Sequence, residues 1–211
     1  MKSFDEIASE YDLWYQTEKG KNIDEKEKKL LLAFCKFSSG KTVLDVGCGT
    51  GNYLSWFRKL GLISFGIDIS FEMLKVSKTK ENPPLFKADS QNLPFKNEKF
   101  DYSVIITTLE FVKNPHETLK EMCRVTKKRL FIGMINQLSF YGFKIWLKSK
   151  LKKSIYKNAH FLNIFKIKKL IKKTFKNNHI NWKGICFNSK FKPKKSIFAP
   201  YLGICIEKEK N

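Results

Sequence analysis

Short apolar runs alternate along this chain with stretches whose apolar positions recur every three or four residues. The runs near 42–46, 63–67, 84–87, 101–107, 129–135, 180–187 and 200–207 predict seven strands, and the helical rhythm predicts helices near 52–60, 71–79, 116–124 and 164–176. Two helical segments come first, near Phe4–Tyr15 and near Asp24–Phe37, the second with an apolar stripe of Leu30, Leu31, Phe34 and Phe37. Such alternation implies an α/β fold: right-handed crossovers building a mostly parallel sheet with helices on both faces. The last two strands are joined by the turn-rich segment Asn188–Ser196 with no helix, which predicts an antiparallel hairpin. Residues 136–162 fit no core element. Their aromatics Phe140, Tyr141, Trp146, Tyr156 and Phe161, set among lysines, suit either a lid over a site or an amphipathic helix packed on the sheet. A chain of 211 residues suits one domain. Its expected parts are a helical cap (1–40), a central core (41–135), the insertion (136–162) and a C-terminal helix with hairpin (163–211).

The segment Val43 to Leu54 carries the sharpest chemical signal. An apolar strand runs straight into Gly47, Gly49 and Gly51, where positive φ is open to the backbone and bare N–H groups can approach a ligand, and Asn52 is placed to cap the next helix. The spacing Gly-x-Gly-x-Gly lacks the last glycine of the dinucleotide fingerprint that seats a pyrophosphate, so a phosphate-free nucleoside is the better fit. Asp68 ends the second strand 21 positions after Gly47, where a carboxylate would meet ribose hydroxyls, and Asp89 ends the third strand 21 positions further on. Three strand ends then converge on one crevice.

These residues together resemble the class I S-adenosylmethionine-dependent methyltransferases, in particular the type 11 small-molecule branch that includes the ubiquinone-biosynthesis methyltransferases. Val43–Leu54 is similar to that family's motif I, Gly66–Ser70 to its ribose-binding acidic loop, Lys87–Phe95 to its adenine loop, and Asp101–Val112 to its motif IV. Phe4–Ala8 and Tyr11–Tyr15 are similar to a segment that closes over the cofactor. The resemblance implies a Rossmann-like fold, S-adenosyl-L-methionine as cofactor, and methyl transfer to a small molecule by in-line displacement. It further implies that Asp68 binds the ribose, Ile69 and Met73 flank the adenine, and Asp89, Ser90 and Gln91 form the adenine edge. Asp45, Gly47, Cys48, Gly49 and Gly51 would lie beneath the methionine part, Tyr11 and Tyr15 over the cofactor, and Thr107 beside the methyl group. One departure stands out: Arg124-Val125-Thr126-Lys127-Lys128-Arg129 replaces the proline-glycine turn that many relatives carry before the fifth strand.

Charge changes the picture of partners. The formal net charge is +21, and all of it lies after Glu121, with no Asp or Glu between Glu121 and Glu207. A block of this kind could attract RNA, DNA, an anionic membrane face or an anionic small substrate. However, only Arg58, Arg124 and Arg129 are arginines, the residue preferred for planar phosphate and base contacts, and a lysine-rich composition alone would give the same charge. A nucleic-acid methyltransferase is therefore a second reading, weakened because Thr107-Thr108-Leu109-Glu110 stands where a base-flipping Asn-Pro-Pro-Tyr signature would be. A cofactor-binding protein that catalyses nothing is a third. Five scattered cysteines and three separated histidines predict a reduced cytoplasmic protein with no metal site, and no apolar run is long enough for a membrane span.

Two residues are candidates for proton handling. Glu110, just after the fourth strand, could bind an amine or take its proton, and His160 lies in the basic insertion.

Overall fold

A computed structural model of the protein describes residues 4–80, 83–151, 155–175 and 178–208. The chain order is α1 (Phe4–Ile7), α2 (Tyr11–Gln16), α3 (Glu18–Phe34), β1 (Thr42–Val46), α4 (Asn52–Lys59), β2 (Ile63–Asp68), α5 (Phe71–Thr79), β3 (Leu85–Lys87) and β4 (Phe100–Ile106). There follow a 3₁₀ turn (Leu109–Phe111), α6 (Pro115–Val125), β5 (Thr126–Ile135), α7 (Phe140–Leu151), a second 3₁₀ turn (Ile155–Asn158), α8 (Ile164–Thr174), β6 (His179–Ile185) and β7 (Tyr201–Glu207). The seven strands form one sheet in the order β3-β2-β1-β4-β5-β7-β6. Pairing is parallel from β3 through β5 and antiparallel in β5–β7 and β7–β6. This is the Rossmann-like sheet with its C-terminal antiparallel hairpin.

The sheet is held by apolar layers on both sides. One large cluster gathers Leu44, Val46, Ile105, Leu130 and Ile132 with Leu119, Met122, Ile167 and Ile171 of α6 and α8. On the other face Leu31, Phe57, Val104 and Phe131 join α3 and α4 to the sheet. Strand order reverses between β1 and β4, so the loops leaving these two strands diverge and open a crevice at their carboxyl ends. All five cysteines are free, with Cys35 and Cys205 standing 3.8 Å apart in the core. Among the described residues no helix is long and apolar enough to cross a membrane.

Three local outcomes differ from the sequence pattern. The second helix starts at Glu18 rather than Asp24: the Thr17 hydroxyl accepts from the Gly20 N–H at 3.0 Å, and a Cβ on Gly20 would lie 1.9 Å from the Trp14 carbonyl oxygen, so glycine serves α2–α3 packing inside a helix. Asn52 does not cap α4. Gly51, at φ 79°, occupies the cap position, and the Asn52 amide donates to Asp24 Oδ1 at 2.8 Å. α6 passes into β5 with no intervening turn. There the Thr126 hydroxyl donates to the Met122 carbonyl at 2.6 Å and meets the Ser103 hydroxyl at 2.7 Å, closing a helix end that glycine usually closes. Thr126→Val keeps the shape and removes the hydroxyl, leaving two buried groups short of a partner. Urea denaturation should show a loss of about 1–3 kcal/mol.

Candidate active site

A single cavity of about 860 Å³ opens at the carboxyl ends of β1, β2 and β4, near the upper end of the roughly 300–1,000 Å³ typical of ligand pockets. Its floor on one side is the loop after β1. Gly47 has φ 75°, and a Cβ there would fall 2.2 Å from Thr108 Cγ2, so the ends of β1 and β4 approach too closely for any side chain. Gly49, at φ 51°, has open space where a Cβ would project, and its N–H donates to Asp68 Oδ2 at 2.8 Å. The other carboxylate oxygen of Asp68 accepts from the Ser70 N–H at 2.9 Å. Burial raises the Asp68 pKa against the pull of these backbone N–H groups. A carboxylate has about four acceptor sites, so Asp68 is fixed in direction and still keeps lone pairs for a ligand.

The other sequence-derived candidates fall into two sets. Tyr11, Tyr15, Asp45, Gly47, Cys48, Gly49, Asp68, Ile69, Met73, Asp89, Ser90, Gln91 and Thr107 all line this cavity. Gly51 does not; a Cβ on it would lie 2.2 Å from Ser77 Oγ, so it packs against α5. Asp89 accepts from the backbone N–H of Gln91 at 2.9 Å, and Gln91 in turn accepts from the N–H of Asn114 at 3.1 Å. The Ser90 hydroxyl is turned to Thr118 of α6, 3.0 Å away. Thr107 sits at φ 48°, a left-handed conformation unusual for a β-branched residue and costing about 1–3 kcal/mol, held by its N–H bond to the Gly133 carbonyl at 2.8 Å.

Glu110 and His160 need correction. Glu110 is fully buried and does not line the cavity; its Oε1 accepts from the Ile135 N–H at 2.9 Å and its Oε2 has no hydrogen-bond partner among the described residues. Its backbone carbonyl accepts from the His160 N–H at 2.6 Å, while the His160 side chain is exposed and outside the cavity. These contacts tie the turn after β4 to the end of β5 and to the insertion. Burial pushes the Glu110 pKa to about 7.

Residues that the sequence reading passed over complete the wall. Glu27 of α3 lines the cavity and accepts from the Tyr53 hydroxyl at 3.2 Å. Burial raises its pKa to about 8. A sequence signal was present: Ile23, Leu30, Leu31 and Phe34 make the buried stripe of α3, and Glu27 interrupts it at helical spacing. Burial likewise raises Asp45 to about 8, with the Asp68 charge adding to it. The cavity's ionisable carboxylates and cations are Glu10, Glu27, Asp45, Asp68, Asp89 and Lys113, so a strongly basic chain encloses an acidic site.

The first two helices roof this cavity and are pinned to it. Asp5 accepts from the Ser70 hydroxyl at 2.5 Å, Asp12 from the Thr50 hydroxyl at 2.6 Å, and Asp12 also pairs with Lys80. Phe4 packs edge-on against Phe111 with centroids 4.9 Å apart. Burial pushes the Tyr11 hydroxyl, under this roof, up to about 12.

Fold and cavity together define a Rossmann-like domain with a crevice at the carboxyl ends of its parallel strands. The space over Gly49, the directed lone pairs of Asp68 and the absence of a phosphate-type glycine spacing fit the adenosyl part of S-adenosylmethionine. Comparison with known proteins gives the family. The type 11 methyltransferase-domain family matches residues 44–132. An uncharacterized protein of Methanocaldococcus jannaschii is 36% identical over 180 residues, covering 84% of this chain and 82% of its own. The demethylmenaquinone methyltransferase of Paenarthrobacter aurescens is 33% identical over 125 residues, covering 59% of this chain but 49% of that enzyme. A SAM-dependent methyltransferase of Thermotoga maritima, described as a possible histamine N-methyltransferase, has the same fold with a TM-score of 0.82 at 22% identity, covering 98% of each chain. The chain belongs to the class I S-adenosylmethionine-dependent methyltransferases, and S-adenosylmethionine is its cofactor.

Glu27, Asp45 and Glu110 all hold a proton more tightly in the folded protein than at their ordinary values of 4.5, 3.8 and 4.5. Their contribution to stability is complete below those values and is lost as pH rises through about 7 to 8. The Tm of the ligand-free protein should fall between about pH 5 and about pH 9, and Glu110→Gln should make the fall shallower; differential scanning calorimetry across this range checks both.

Proposed function

We propose that this protein transfers a methyl group from S-adenosylmethionine to a small molecule that occupies the same cavity beyond the cofactor, over the ends of β4 and β5. The observation that carries this reading is the continuity of one cavity from Gly49 and Asp68 to Glu27, Ile135 and Phe187. When bound, S-adenosylmethionine supplies a methyl group on a positive sulfur, and displacement releases a neutral thioether. The protein's task is then positioning, because holding a nucleophile in line removes much of the barrier without a covalent intermediate.

On this reading Asp68 accepts from the ribose hydroxyls with the lone pairs that Gly49 and Ser70 leave free. Asp89 accepts from the adenine amino group, the Ser90 backbone and Gln91 complete that edge, and Ile69 and Met73 flank the ring. Asp45 and the Gly47–Gly51 loop, with Cys48, support the methionine part. Tyr11 and Tyr15 cover the cofactor and exclude water, and Thr107 borders the methyl group. Glu110 acts as an internal strut between the turn after β4 and β5, and His160 takes no part.

The acidic lining speaks against an anionic acceptor and against drawing a phosphodiester chain into the cavity. The basic C-terminal part therefore lends little to the nucleic-acid reading, and no contact in the cavity favours a non-catalytic one.

Isothermal titration with S-adenosylmethionine and S-adenosylhomocysteine tests the cofactor half. Wild type should bind at micromolar concentration, and Asp68→Ala should bind at least about tenfold more weakly, as expected for losing hydrogen bonds to a charged group. A folded wild-type protein that binds neither compound would overturn the reading.

A further inference from the structure

The half of the cavity away from the adenosine loops has its own chemistry. Glu27 projects from α3 at an otherwise apolar position of the helix, and among the described residues its only hydrogen bond is the one from Tyr53. Tyr15, Tyr53, Tyr141 and Tyr156 line this half with Ile23 and Phe187. Burial raises the hydroxyl pKa of each of these tyrosines, and the nearby Glu27 charge adds to the rise in every one. Four tyrosines from four separate elements thus share one lining with this carboxylate: Tyr15 from α2, Tyr53 from α4, Tyr141 from α7, and Tyr156 from the second 3₁₀ turn.

Of the other ionisable groups around Glu27 among the described residues only Lys28 is a cation, and its charge lowers the Glu27 pKa less than burial raises it. On its own helix are Asp24 and Lys28, which bond each other at 2.6 Å. The Lys28 ammonium lies over the Tyr53 and Trp56 rings, 5.2 and 5.7 Å from their centroids, and does not line the cavity. Lys19 covers the Tyr141 ring at 5.4 Å and is likewise outside. From beyond the helix come Glu110, Tyr11 and Tyr201, none of them cationic. A half-buried carboxylate whose one nearby cation, Lys28, stands outside the cavity, in a wall of tyrosines and apolar side chains, is the complement of an ammonium ion with an apolar body.

We infer that Glu27 and the tyrosines around it form the acceptor subsite of this methyltransferase, and that the acceptor is an amine with an apolar or aromatic body, whose proton Glu27 removes. This inference rests on the methyl-transfer reading given above. An ammonium nitrogen has no lone pair, so it must lose a proton before it can attack. In the balanced step the ammonium proton passes to the Glu27 carboxylate, the freed lone pair forms the N–C bond to the methyl group, and the S–C electron pair leaves with the neutral thioether. The product forms directly as an N-methylammonium ion, and Glu27 returns the one proton it took to solvent in each cycle. The raised pKa of Glu27, about 8, suits both halves of that exchange, because a general base is most effective when its pKa lies near the working pH. Tyr53 is a positioning residue: its hydroxyl donates to Glu27 and fixes the carboxylate's direction.

The test uses the full chain saturated with S-adenosylhomocysteine, titrated with 2-phenylethylamine, and with 2-phenylethanol and 3-phenylpropionate as neutral and anionic counterparts of similar shape. The amine should bind at least about tenfold more tightly than either counterpart. Repeating the titration in buffers of different ionisation enthalpy near neutral pH should show a proton released as the ammonium binds, because Glu27 is mostly protonated when alone and ionised beside the cation. Glu27→Gln should abolish the proton release and weaken the amine at least about tenfold, with S-adenosylhomocysteine binding unchanged. Tyr53→Phe, which keeps the ring, should weaken the amine by a smaller factor. Equal binding of all three probes, binding of the acid in preference, amine binding unaffected by Glu27→Gln, or no amine binding by protein that holds S-adenosylhomocysteine would each overturn the inference and leave the methyl-transfer reading standing. Failure to hold S-adenosylhomocysteine would overturn the reading itself.

Discussion

The approach of Gly47 to Thr108 governs the rest of the molecule. β1 and β4 are hydrogen-bonded neighbours, and their loops must leave the sheet in opposite directions because the strand order reverses between them. That divergence opens a crevice only if the two chain ends can first pass within contact distance, and a methyl group on residue 47 would already clash with the Thr108 side chain. Thr107 carries the strain of the same junction on the other strand. The Gly49 N–H that orients Asp68 and the buried Glu110 both stand on the segments that leave this junction.

The electrostatics run against the composition. The surface of the C-terminal part is dense with lysine, yet the site is enclosed by carboxylates with a single lysine among them. The two facts are compatible because charge on a solvated face is screened within about 10 Å, whereas charges in a low-dielectric cleft are not. The cofactor has a positive sulfur, and the proposed acceptor arrives as a cation, so an acidic cleft serves both. The overall charge of the chain therefore says little about what enters the site.

The strands were readable from sequence because each is a compact apolar run, and the glycines after β1 because glycine adopts positive φ without the cost that a side chain adds. The places where reading failed are those decided by tertiary contact. The second helix was expected near Asp24 and starts at Glu18, where the nearness of the Trp14 carbonyl explains the glycine at position 20. Asn52 looked like a cap and instead reaches across to Asp24. Glu110 and His160 had the right side chains at suggestive positions, but one is sealed beneath the cavity and the other lies outside it. Glu27 was the opposite case: a carboxylate inside an apolar stripe is visible in the sequence, but its meaning depends on tyrosines brought from four distant segments.

The pins that hold α1 and α2 over the cavity bear on the order of events in turnover. Asp5 and Asp12 fasten this segment to Ser70 and Thr50, in the loops after β2 and β1 that border the proposed cofactor site, and to Lys80 at the C-terminal end of α5. A nucleoside lying beneath that roof can enter or leave only after these contacts part, whereas the wall made by α7 and the second 3₁₀ turn lies on the acceptor's side. On the proposed assignment the two ligands have separate doors. Spent cofactor would then depart last, at a pace set by unfastening two aspartates and not by the chemistry, and salt that loosens the Asp12–Lys80 pair would quicken its departure.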